Sequence, residues 1–123
     1  MEKRYIDIEG KWGVVFAYDI KEDDLDEIAS WLEALDATRK EVRKARRVVM
    51  RWNSGLTFSN DALRMSVMIV SKSTSREQFM NTLSHEIGHL KYDLCMYYDV
   101  EDGSEEEMYL QGYIMQRIIR AMI

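Results

Sequence analysis

The only two histidines of the chain, His85 and His89, stand four residues apart, and a glutamate follows the first: His85-Glu86-Ile87-Gly88-His89. On a helix, residues i and i+4 are stacked neighbours, with about 5 to 6 Å between their Cβ atoms. Both imidazoles then reach one point, as ligands of a shared metal ion must. Glu86 is turned by about 100° from His85, which lets it address a water bound to such an ion. Thr74 with Glu77 three residues later forms a capping box and predicts where this helix starts. Phe79, Leu83, Ile87, Leu90 and Leu94 recur on the side away from the histidines, so the pair is expected opposite the buried face.

Around this helix the pattern alternates between strand and helix. Tyr5 to Ile8 and Trp12 to Tyr18, separated by Glu9-Gly10-Lys11, predict a hairpin rich in β-branched and aromatic residues. From Lys21 the acids Asp23, Asp24 and Asp26 precede Leu25, Ile28, Leu32 and Leu35 at helical spacing, with a break near Asp36. Thr38 and Glu41 form a second capping box, and Val42, Ala45, Val49 and Trp52 carry a second helix to Asn53-Ser54-Gly55. Leu56-Thr57-Phe58 and Met65 to Val70 predict another strand pair, the latter apolar enough to lie centrally in a sheet. Ser104 with Glu107 opens a last helix running to about Met122. The expected fold is one α+β domain over residues 1–123, a small mixed β-sheet packed with about four helices.

Composition narrows the class. With 46% hydrophobic and 32% charged residues, no proline and six glycines, the chain has the means to fold compactly and no low-complexity character. The single cysteine, Cys95, forms no intramolecular disulfide, and a cytoplasmic, reducing setting is expected. No apolar run approaches a membrane span, and the residues from Met1 to Asp7 lack the apolar core of a secretory signal, so a soluble protein without membrane association is expected.

Zinc in a hydrolase takes three protein ligands and keeps a fourth position for water. With no third histidine, the missing ligand is expected to be a carboxylate. Asp93 continues the histidine row, but a rise of about 12 Å from His85 suits it better to an outer hydrogen bond with an imidazole. The acids Asp99, Glu101 and Asp102 belong to what is also an ordinary exposed turn. Glu105, Glu106 and Glu107 suit the positive end of the last helix whatever else they do, and Glu107 has a capping role. Among them Glu106 shares a face with Tyr109, Leu110, Tyr113 and Ile114, and an inward-packed face turns it toward the histidines. Glu106 is therefore the favoured third ligand, with Glu105 and then Glu107 as alternatives.

From about Met65 to Ile118 the chain resembles the zincin metallopeptidases of the gluzincin type, in which His-Glu-x-x-His on one helix is completed by a glutamate on a following helix. It is also similar to small zinc-peptidase-like proteins of bacteriophages and mobile elements. The resemblance implies zinc ligands at His85, His89 and Glu106, Glu86 as the general base, and a peptide or protein substrate. Gly88, costly inside a helix by about 1 kcal/mol against alanine, is expected to mark close packing or room beside the metal. Tyr92, Tyr109 and Tyr113 are candidate oxyanion donors, although helical tyrosines more often serve the core.

Other readings carry less. An exposed helix with two satisfied histidines also produces the motif, and a metal-binding regulatory domain without hydrolysis needs no substrate groove. Seven cations between Arg39 and Arg51 raise the question of nucleic acid, but they recur opposite Val42, Val49 and Trp52, as on any solvated helix face, and the net charge is −5. Nucleic acid is therefore an unlikely partner. The run from Asp99 to Gly103 is out of register with a calcium loop.

Overall fold

The computed structural model describes all 123 residues. Two strands, β1 (Glu2–Ile8) and β2 (Trp12–Tyr18), are followed by a short 3-10 turn and by helices α1 (Leu25–Ala34) and α2 (Arg39–Val49). Then come β3 (Gly55–Asn60), β4 (Met65–Val70), α3 (Arg76–Tyr98) and α4 (Glu105–Met122). The sheet order is β1-β2-β4-β3. Both hairpins are antiparallel, and they join through a parallel pairing of β2 with β4. The fold is thus α+β, a four-stranded mixed sheet with four helices, and β4 is central as its unbroken apolar run requires.

Side-chain alternation sends the two faces of the sheet into two cores. On one face Ile6, Val14, Phe16, Met68 and Val70 pack with Leu83, Ile87, Leu90 and Leu94 of α3 and with Ile114 and Ile118 of α4. On the other, Ala17, Val67 and Ile69 pack with Ile28, Leu32, Val42, Ala45 and Val49 of α1 and α2. The sheet is therefore the middle of three layers. At the open edge of β3, α2 and α3 come from opposite faces and leave a gap between them. No helix is long and apolar enough to cross a membrane.

The caps explain the helix starts, with one shift, while α2 ends at Val49 with Met50 as its C-cap, short of the expected Trp52 and Asn53-Ser54-Gly55 stop, and Gly55 already belongs to β3. Thr38 and Glu41 make the expected reciprocal box on α2. For α3 the cap is Ser75 rather than Thr74: the Ser75 hydroxyl accepts from the Gln78 amide, while Thr74 is engaged with Asn53. Asp99 ends α3 in the left-handed region, with φ of 55°.

Candidate functional site

His85 and His89 both lie on α3, exposed, on the side away from its buried leucines. Their Nε2 atoms converge to 3.1 Å. That separation serves a hydrogen bond when one ring is protonated there, and it is also close to an edge of a tetrahedral zinc site. Two ligands about 2.0 to 2.1 Å from one ion stand roughly 3.3 Å apart. The expectation that both imidazoles reach one point is met by the helix alone.

Glu86, the next residue, is only 4% exposed. It fits beneath β3, where the Thr57 hydroxyl donates to its Oε1 at 2.8 Å. Gly55 makes room for it: a Cβ at Gly55 would stand 2.7 Å from Glu86 Cγ, 2.9 Å from Oε2 and 2.9 Å from the Ile69 carbonyl oxygen. The last contact is with backbone that cannot step aside. A strand without a side chain at this position is therefore what admits a carboxylate between sheet and helix.

Asp93, one turn beyond His89, is held from the core. Its Oδ2 accepts from the Ser59 hydroxyl at 2.6 Å. Ser59 has spent its only proton there, so in its 2.6 Å contact with Ser66 it must accept, and Ser66 in turn accepts from the buried Trp12 indole N–H at 2.8 Å. A single-direction chain of donors, Trp12 to Ser66 to Ser59 to Asp93, thus crosses β2, β4 and β3 and ends on the carboxylate. All four parts are in contact, and the chain fixes the position of the Asp93 carboxyl group.

These residues share one cleft of about 280 Å³. Its floor is Gly55, Leu56 and Thr57 of β3; His85, Glu86, His89 and Asp93 of α3 form one wall, and Lys44 and Val48 of α2 form the other. The volume lies near the lower limit for small-ligand sites and suits a stretch of chain laid across it.

The glutamates of α4 are placed elsewhere. The face expected for Glu106 packs inward only in part: Ile114 is buried and Leu110 and Tyr113 lie against the core, but Glu106 is exposed and Tyr109 is 75% exposed, whereas Glu107 and Ile118 are buried. Helix α4 meets α3 along another side, where Lys91 Nζ reaches Glu107 Oε1 at 3.1 Å and Gln111 Oε1 at 3.2 Å. Glu107 also accepts from the Gly103 amide at 2.8 Å. That bond, seconded by Lys91, holds its carboxyl below the ordinary glutamate range. None of Glu105, Glu106 and Glu107 lines the histidine cleft, and nowhere do three histidine, cysteine, aspartate or glutamate side chains gather as a ready metal site. The acids in the cleft are Glu86 and Asp93.

Two smaller expectations also change. Gly88 packs against nothing: a Cβ there would meet no atom within 4 Å. It borders a second cleft, between α3 and the start of α4, with Lys91, Tyr92, Cys95 and Glu107. Tyr92 shares that cleft rather than the histidine one, and neither Tyr109 nor Tyr113 lines the histidine cleft, so these three tyrosines are not its oxyanion donors. Cys95 is an intact thiol whose pKa is pushed up by burial and then by Glu107.

Sequence reasoning passed over Thr57, Ser59, Gly55 and Lys44. Only Gly55 carries a local signal, and in the chain it reads as a helix stop. The partners of Glu86 and Asp93 lie 29 and 34 residues away, across a strand pairing that no local pattern specifies. No protein-family model matches the chain, and neither a curated protein nor a solved structure matches it.

Proposed function

We propose that the cleft is a metal-dependent hydrolytic site that binds Zn²⁺ between His85 and His89 and cleaves a peptide or protein bond. The observation that carries this reading is the convergence of the two Nε2 atoms to 3.1 Å beside a buried carboxylate, Glu86. A ring-to-ring hydrogen bond accounts for the approach by itself, but the buried carboxylate one residue on, beside the same cleft, is what the metal reading adds. When bound, zinc lowers the pKa of a coordinated water toward about 7 and polarises a carbonyl oxygen. Glu86 accepts the proton from the attacking water and returns it to the leaving amine. Thr57 holds Glu86 in place, and Asp93, fixed by its hydroxyl chain, orients an imidazole or a solvent ligand from outside the metal's own shell.

This arrangement agrees with a zincin-like reading in its motif helix and departs from it in the completing glutamate, which α4 does not supply. That departure favours a second reading, a metal-binding regulatory domain without hydrolysis, because only two nitrogen donors converge.

Elemental analysis of untagged protein equilibrated with zinc tests the metal, with about one equivalent expected for wild type and little for His85→Ala or His89→Ala. Asp93→Asn should weaken zinc binding by about 10- to 100-fold, and Glu106→Gln should leave it unchanged. Glu86→Gln should retain zinc and lower hydrolysis of a diverse peptide library by about 10²- to 10⁴-fold, read as new termini by mass spectrometry. Zinc-loaded wild type that produces no termini beyond those of Glu86→Gln would favour the regulatory domain.

A further inference from the structure

Helix α2 buries Val42, Ala45 and Val49, and its other positions are almost all cationic. They divide into two groups. Arg46 pairs with Asp26 of α1 at 2.9 Å, and Arg39 and Arg43 border α1 with Glu33. Lys40, Lys44 and Arg47 lie on the other flank, at i, i+4 and i+7, and Lys44 is itself part of the wall facing the histidines. None of these three forms an ion pair. The one acid of the helix, Glu41, is turned back onto the Thr38 amide. Like charges at i and i+4 destabilise a helix, so an unpaired cationic stripe beside the cleft opposes folding unless something outside the chain complements it.

We propose that the cleft selects an acidic, extended polypeptide segment, whose carboxylates lie on Lys40, Lys44 and Arg47 while its backbone passes the histidines. The inference rests on the hydrolytic reading of the cleft and names its substrate class. Three observations fix the occupant. The stripe rises about 10 Å along the helix, the span of three extended residues. The outer edge of β3, on the cleft floor, pairs with no other strand and offers free backbone groups to an extended chain. The opposite wall carries Asp93 and Glu86, which would repel a continuous phosphate backbone but tolerate a peptide with one acidic side.

The experiment measures anisotropy of short labelled peptides with the Glu86→Gln protein, which on the proposed mechanism turns them over about 10²- to 10⁴-fold more slowly. The probes are an alternating Glu-Thr peptide, its Gln-Thr and Lys-Thr counterparts, and single-stranded oligothymidylate of matching charge. The Glu-Thr peptide should bind at least about tenfold more tightly than the Gln-Thr peptide, with an advantage that shrinks as salt rises. The double variant Lys44→Gln/Arg47→Gln should lose that advantage, and the control Arg39→Gln/Arg43→Gln should keep it. All four positions are exposed and relieve like-charge repulsion when neutralised, so both variants should fold, as melting curves will show. Equal binding of Glu-Thr and Gln-Thr peptides, tighter binding of oligothymidylate, or equal losses in the two double variants would each overturn the proposal. So would concentration-dependent self-association abolished by Lys44→Gln/Arg47→Gln, which would make a second copy the occupant. Cleavage separates the two layers of inference. Library sites without enrichment of Asp or Glu overturn the acidic preference and leave hydrolysis standing. Selective Glu-Thr binding without cleavage by wild type supports the acidic surface and removes hydrolysis.

Discussion

Two glycines of the chain, alike in sequence, differ in what surrounds them, and the difference fixes opposite signs for the same substitution. Gly55→Ala puts a methyl group against Glu86 and the Ile69 carbonyl, so it should cost about 1 to 3 kcal/mol in urea unfolding and displace the Glu86 carboxylate. Gly88→Ala adds a methyl group in open space on a helix and should stabilise by about 0.5 to 1 kcal/mol, with zinc binding unaltered. Of the two reasons that the sequence offered for Gly88, close packing is excluded by the open space around it, which lies one helical turn from His85. Thr57→Val keeps the shape of the strand residue and removes the donor to Glu86. A buried carboxylate left short of a partner costs about 1 to 3 kcal/mol, and the loss should appear in both denaturation midpoint and hydrolysis.

The eight strands and helices were legible from period and caps, because β-branched alternation and Ser or Thr capping are local properties of the chain. The facing of α4 was not. Its three successive glutamates all suit a helix N-terminus, so the motif of acids says nothing about which one turns inward. Burial of Ile114 and Ile118 settles that rotation, bringing Glu107 inward and Glu106 out. The pairing at this corner makes a pH prediction. Glu107 has its folded pKa lowered, first by the Gly103 amide and then by Lys91, whereas the unfolded value stays near 4.3. Its contribution to stability is therefore complete above the unfolded value and is lost as pH falls through the lowered folded one. The gap in melting temperature between wild type and Glu107→Gln should be full near neutrality and close on acidification below about 4, as differential scanning calorimetry across pH will show.

At the scale of the whole molecule, the candidate site draws on both outer layers of the fold and on the sheet edge between them. The histidine pair was readable because one helix turn builds it, while Lys44, Gly55 and Thr57 line the cleft, and Ser59 supports it through Asp93, only once the tertiary fold brings α2 and β3 beside α3. Amides of Val14 to Phe16 and of Val67 to Ile69, in the two inner strands, should exchange with solvent only on global unfolding, and those of β3 should exchange sooner. The same strand order has a consequence for synthesis on the ribosome. β3 leaves before β4, yet it has no seat beside β2; the slot between them stays open until residue 70 is made. The β3–β4 hairpin must form as a unit and then dock edgewise, a long-range step that closes slowly and leaves two unpaired strand edges exposed to neighbouring chains in the meantime. The nascent protein is thus most prone to aggregation before its histidine helix has even emerged.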